Sequence, residues 1–220
     1  MTGNVSLDCN AINYRNATIN EVDILLTNTQ WMLFNVSLAL IAVMLCVLFL
    51  YSKHHILRWF YFCLWVLYVP NTVYLLTDIQ YLPTQLSQVD PTFFLALLLQ
   101  YAALMAAGIL TYLAALGPID HVAKRKLKLS KEIHFFIVIL FNFLLGFGMV
   151  LGKLERVHSW DVFIKPVYFF EGLKHALFSA EALILSVFFG ILANATYFFF
   201  RKFLYGSWLI KSLVPSKKRF

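Results

Sequence analysis

Apolar residues along this chain fall in long unbroken runs, and the polar residues collect between those runs rather than alternating with them. A helix needs about 20 apolar residues to cross roughly 30 Å of hydrocarbon. Five runs meet that length, at about residues 31–51, 56–79, 91–116, 133–151 and 173–200. A further stretch, 162–170, is aromatic and apolar but interrupted by Lys165 and Pro166. It reads as a short re-entrant or interfacial piece leading into the fifth run. Only helices and closed barrels satisfy their backbone polar groups in lipid, and runs of this length are helical. The pattern therefore predicts an all-α fold, a polytopic transmembrane helical bundle of about five spans. Residues 1–30 precede the bundle, 31–204 form it, and 205–220 make a basic tail. No internal repeat is visible, and the Pro70 break in the second run has no counterpart in a second half, which weighs against an inverted-repeat transporter.

Composition sharpens the class. Of 220 residues, 61% are apolar and only 13% charged, about half the charged share of a soluble domain. Lipid must solvate much of such a surface, so the lipid bilayer is the first partner and the cell membrane the expected location. The three cysteines, Cys9, Cys46 and Cys63, have no paired spacing. They offer neither a metal knuckle nor a redox pair, and no metal or cofactor is expected. The first 30 residues lack the basic start and apolar core of a signal peptide and are expected to remain in place.

Charge then sets an orientation. Lys53 and Arg58 lie between runs one and two, Lys124, Arg125, Lys126, Lys128 and Lys131 between three and four, and six more basic residues follow run five. Only Arg15, Lys153, Arg156, Lys165 and Lys174 fall on the other side. Basic loops are retained in the cytoplasm, so the N-terminus is expected outside and the C-terminus inside. The net charge of +7 is then a topology signal, and no nucleic-acid partner is needed. The basic residues from Lys211 to Arg219 are expected to lie against anionic headgroups.

Two constellations carry candidate chemistry. In the second run, Pro70 lacks an N–H and should kink the helix. Asn71, Tyr74 and Asp78 follow at i, i+3 and i+7, one polar face that must meet protein or water rather than lipid. In the fourth run, Gly148 and Gly152 have the small-xxx-small spacing that lets helices approach closely. Lys153 continues a polar face from Asn142, and Glu155, Arg156, His158, Trp160 and Asp161 follow within a few residues. The expected topology brings both to the outer face, together with Lys174 and Glu181 at the start of run five. An ionisable residue in or beside a span is a site candidate, although each group has a plainer reading as seam or solvated loop. Asp78, Glu155, His158 and Asp161 are the acid–base candidates. Asn71, Tyr74, Asp78, Lys153, Arg156, Trp160, Asp161, Lys174 and Glu181 are the ligand-binding candidates, with Arg156 the expected counter-charge to Asp78 and Asp161, and Lys174 to Glu181.

Pro70-Asn71, Tyr74-Leu75 and Thr77-Asp78, followed by Gly146, Gly148, Gly152, Arg156 and Ser159-Trp160-Asp161, resemble a bacterial family of multi-pass membrane proteins known only as domain of unknown function thirteen-sixty-one. The motifs lie between about residues 60 and 166, and the family's usual arginine after the last glycine is Lys153 here. The resemblance implies a bacterial multi-pass membrane protein with these polar residues as its hallmark, and no activity.

Three functions fit. The first is binding or assembly in the cell envelope, with a lipid headgroup or another membrane protein as partner. The second is a membrane-embedded enzyme acting on a lipid-linked or envelope substrate, with Arg156 or Lys153 holding an anionic group. The third is a transporter subunit, disfavoured because runs one and three carry almost no ionisable residues to continue a path.

Overall fold

The computed structural model describes residues 21–127 and 129–205. The segment 1–20, including Cys9 and Arg15, and the basic tail from 206 onward lie outside the described residues. Among the described residues the fold is all helix, with five helices long and apolar enough to cross a membrane. It is a polytopic transmembrane bundle.

Helix α1, Glu21–Tyr51, begins earlier than the apolar run at residue 31. Asn28 is buried at this end, hydrogen-bonded to Gln85, so a polar contact rather than hydrocarbon extends the helix. The second span is segmented into α2 (His55–Tyr68), α3 (Pro70–Thr77), a 3₁₀ turn (Asp78–Tyr81) and α4 (Leu82–Leu86). Pro70 opens α3 as expected from its missing donor. Side chains take up the carbonyls around the break: Asn71 Nδ2 donates to the Tyr68 carbonyl at 3.0 Å and Thr72 Oγ1 to the Val69 carbonyl at 2.7 Å.

Helix α5, Phe94–Leu127, runs through Pro118 and is much longer than the third apolar run. Its 34 residues span about 51 Å at 1.5 Å per residue, more than a bilayer core. Asp120 and Lys124, expected in a cytoplasmic loop, are therefore helical. Helix α6, Lys131–Lys153, is capped by Ser130, whose hydroxyl accepts from the Ile133 N–H. After a loop come α7 (Asp161–Ile164), α8 (Pro166–Phe178) and α9 (Ala180–Tyr205). The fifth span thus starts at Ala180 rather than near residue 173. Ser179 is extended and its hydroxyl accepts from the Ala182 N–H, so the apolar residues before it end α8 instead of opening the span.

Helix α6 packs tightly on α9 at two glycines. A Cβ on Gly146 would strike the backbone of Ser186 and Gly190, and one on Gly190 would strike Phe143. The expected Gly148–Gly152 contact is close at one glycine and ordinary at the other. A Cβ on Gly148 would fall 2.7 Å from the Pro70 ring, and one on Gly152 would meet the Tyr74 ring at 3.7 Å. At mid-depth Tyr112 donates to Asn142 at 2.6 Å and Asn142 to Asn194 at 3.0 Å, a polar seam joining α5, α6 and α9.

Candidate functional site

The turn that follows α3 and the end of α6 lie side by side and supply an ion pair. Asp78 opens the 3₁₀ turn and is 1% exposed. Lys153 is the last residue of α6, where a cation is favoured by the helix dipole. Its Nζ lies 3.6 Å from Asp78 Oδ1, while Asn35 of α1 donates to Asp78 Oδ2 at 3.4 Å. Tyr74 and Tyr81 flank the lysine, their ring centroids 4.8 and 5.8 Å from Nζ. The 3₁₀ turn explains the second tyrosine, because residues three apart eclipse in that helix and Asp78 and Tyr81 share a face. A buried ion pair survives only when geometry and hydrogen bonds offset desolvation. Here Lys153 Nζ has no hydrogen-bond partner within 3.5 Å, and Asp78 accepts one long bond.

A cavity of about 330 Å³ opens against this pair, walled by Trp31, Asn35, Tyr74, Asp78, Tyr81 and Gln85. A second, of about 110 Å³, is lined among others by Asn35, Asn71, Tyr74, Gly152, His158, Ser159 and Trp160. Asn35 and Tyr74 belong to both walls, so the two spaces are neighbours across those side chains.

The loop after α6 closes the smaller cavity. Val157 N donates to the Leu151 carbonyl at 3.0 Å, and Ser159 Oγ donates to Leu67 O at 2.7 Å and accepts from Asn71. Asp161 is buried and accepts from the His158 backbone N–H at 2.7 Å and lies 3.3 Å from its Nδ1. His158 stacks on Trp160, ring centroids 4.6 Å apart. Arg156 makes the reversal possible with a left-handed φ of 52°.

The site therefore gathers Asn71, Tyr74, Asp78, Lys153, His158 and Trp160, with Asp161 holding His158 in place. It leaves out four candidates. Arg156 is exposed, and its left-handed turn carries it out of the pairing expected for it; Lys153 holds that place against Asp78. Glu155 bonds to His175 at 2.7 Å, on α8. Lys174 and Glu181 are exposed on different helices and line neither cavity. Sequence reasoning missed Trp31, Asn35, Tyr81 and Gln85. The signal for the first two was Asn28, Trp31 and Asn35 at i, i+3 and i+7 within an apolar run, the same spacing that marked Asn71, Tyr74 and Asp78.

A second polar centre lies at the opposite end of α6. Asp120 accepts from Tyr197 Oη at 2.6 Å, shares a short hydrogen bond with His134, and sits 3.4 Å from Lys124. Asp120 and His134 also border an apolar cleft of about 170 Å³ that includes Trp65 and Phe141. Between the two centres, the buried face of α6 carries Val138, Leu145 and Met149, with the neutral Asn142 of the polar seam among them.

Compared with known proteins, residues 34–196 match the model of a family described as protein of unknown function (DUF1361). No curated protein and no solved structure matches the chain.

Proposed function

Since the chain belongs to the DUF1361 family of proteins of unknown function, we propose its role from its own geometry: it binds a small polar ligand or lipid headgroup at the extracytoplasmic face of a bacterial cell membrane. The basic-residue split supports an N-terminus outside, with the ends of α3 and α6 on the same side. The observation that carries the reading is the pair Asp78–Lys153, buried, incompletely hydrogen-bonded and set beside a 330 Å³ cavity. A pair kept only to hold helices together gains from saturating its hydrogen bonds, and this one leaves the buried Lys153 Nζ without a hydrogen bond while Asp78 stands in the wall of the cavity. Native mass spectrometry of protein extracted from its own membrane tests this. The wild type should retain a bound polar adduct that Asp78→Asn loses; equal retention in the two contradicts it.

A second reading, a membrane-embedded enzyme, is favoured by His158 and Asp161 at the smaller cavity, since a carboxylate-held imidazole is a ready general base. Transport ranks below both. Asp120 and His134 do supply ionisable groups at the other end, but between them and Asp78 the buried face of α6 offers only the neutral Asn142 among Val138, Leu145, Gly146, Met149 and Val150.

A further inference from the structure

The larger cavity has three aromatic walls and one charged one. Trp31 and Tyr81 meet edge to face with centroids 6.2 Å apart, fixing one corner of the box. Tyr74 and Tyr81 already turn ring faces toward a cation, since Lys153 Nζ lies over both. Aromatic faces converging on a carboxylate recognise ammonium groups. Gln85, also in the wall, is committed elsewhere: its Oε1 accepts from Asn28 and Tyr101, and its Nε2 donates to Asn28.

The cation now held against Asp78, Tyr74 and Tyr81, behind the cavity wall, is the protein's own. Lys153 Nζ makes no hydrogen bond, one of two such buried side-chain polar atoms among the described residues. The residue before it, Gly152, lines the smaller cavity and leaves space there. Charge balance then restricts the ligand. Asp78 and Lys153 neutralise each other, so a simple cation arriving at Asp78 strands the lysine, and a simple anion drawing off Lys153 strands the aspartate. A buried charge left without its partner is strongly unfavourable. A ligand carrying both charges leaves neither stranded.

We propose that this site binds a zwitterion by exchange. The ligand's ammonium takes the place of Lys153 between Tyr74, Tyr81, Trp31 and Asp78, and Lys153 turns to the ligand's phosphate or carboxylate beside Gly152. This deepens the binding role proposed above by naming its ligand class, an amine joined to an anion by a short linker. A phosphoethanolamine-type lipid headgroup and a free zwitterion share that chemistry.

The test uses the full chain in phosphatidylglycerol nanodiscs, titrated calorimetrically with glycerophosphoethanolamine, glycerol 3-phosphate and ethanolamine. Glycerophosphoethanolamine should bind at least about tenfold more tightly than either half-ligand, the size expected of one desolvated charge contact. Lys153→Met, which removes the internal competitor, should gain about tenfold for ethanolamine and lose its preference for the zwitterion. Tyr81→Leu spares the ion pair and removes a wall at a half-exposed position, so it provides a folded variant; it should weaken glycerophosphoethanolamine several-fold. Competition by nanodiscs containing phosphatidylethanolamine identifies a lipid headgroup as the source, and its absence a free zwitterion, the preference itself supporting the proposal in either case. Glycerol 3-phosphate binding as tightly as glycerophosphoethanolamine, or no binding of any probe, overturns it. A native adduct that depends on Asp78 but lacks an amine sinks the zwitterion while leaving the binding role intact.

Discussion

Lys153 Nζ, at the end of α6, and Asp78 Oδ1, in the turn that follows α3, face each other across 3.6 Å. Neither ion is saturated with hydrogen bonds, and both are buried. The pair links the packing of α3 on α6 to the cavity beside it, so its disruption is expected to register in stability as well as in binding.

Asp78→Asn leaves Lys153 as an unpaired buried cation, and Lys153→Met leaves Asp78 as an unpaired anion. Each should cost about 3–5 kcal/mol if the charge stays buried. The double variant removes both charges and should cost less than the two singles added, with a coupling of about 0.5–3 kcal/mol. Reversible unfolding in mixed detergent measures all four corners of the cycle. Strict additivity would mean that the two groups do not interact.

Arg156 gives the opposite expectation. With an exposed side chain and Lys153 holding Asp78, Arg156→Gln should add to Asp78→Asn within a few tenths of a kcal/mol. Its φ of 52° makes a separate forecast. Arg156→Gly should be neutral or stabilise by up to about 1 kcal/mol, because glycine enters the left-handed region without a Cβ clash. A loss of stability in Arg156→Gly would show that the side chain holds structure after all.

The glycines should rank by what lies over them. Gly146→Ala drives a methyl into the backbone of α9 and should cost about 1–3 kcal/mol as overpacking. Gly152→Ala meets only the edge of the Tyr74 ring at an ordinary distance and should stay within about 0.5 kcal/mol. Thermal denaturation of the two single variants decides it, and equal losses would contradict the packing described for α6 and α9.

Tyr197→Phe removes the hydroxyl that donates to Asp120 at 2.6 Å and should cost about 1–3 kcal/mol through a buried acceptor left short. Unfolding measurements should show this loss with binding at the Asp78 site unchanged, since Val138, Leu145 and Met149 lie between the two centres. A parallel change in ligand retention would mean that the two ends are coupled.

Orientation is open to a direct check. Single cysteines at Gln88 and Lys126, in a background without the native cysteines, should be labelled from opposite sides by an impermeant thiol reagent. Labelling of both from one side would contradict the five-span orientation, since the third span lies between the two positions.

Much of the site was legible because it rests on local rules. Pro70 announces a break wherever it stands in a helix, and Asn71, Tyr74 and Asp78 share a face by helical period alone. Lys153 was readable for the same reason, as a step on the polar face of α6. Asn35 was harder, because its value comes from a contact 43 residues away in sequence. Arg156 misled because its direction depends on one left-handed φ, which charge and spacing do not encode. The start of the fifth span was misplaced because Leu173, Ala176, Leu177 and Phe178 lead directly into the apolar run that follows, and the extended Ser179 that separates them from α9 leaves no mark in composition. Asp120 was assigned to a loop because its basic neighbours follow a topological rule that is silent about how far α5 continues.

The most direct measurement is a density map of the protein in nanodiscs drawn from its native membrane, at a resolution that shows side chains. The account predicts density in the cavity bounded by Trp31, Tyr74, Asp78 and Tyr81, in contact with the Asp78 carboxylate and extending toward Gly152, with Lys153 Nζ moved off its 3.6 Å contact. Density confined to a bilayer acyl chain, or an unfilled cavity with Lys153 still on Asp78, would contradict it.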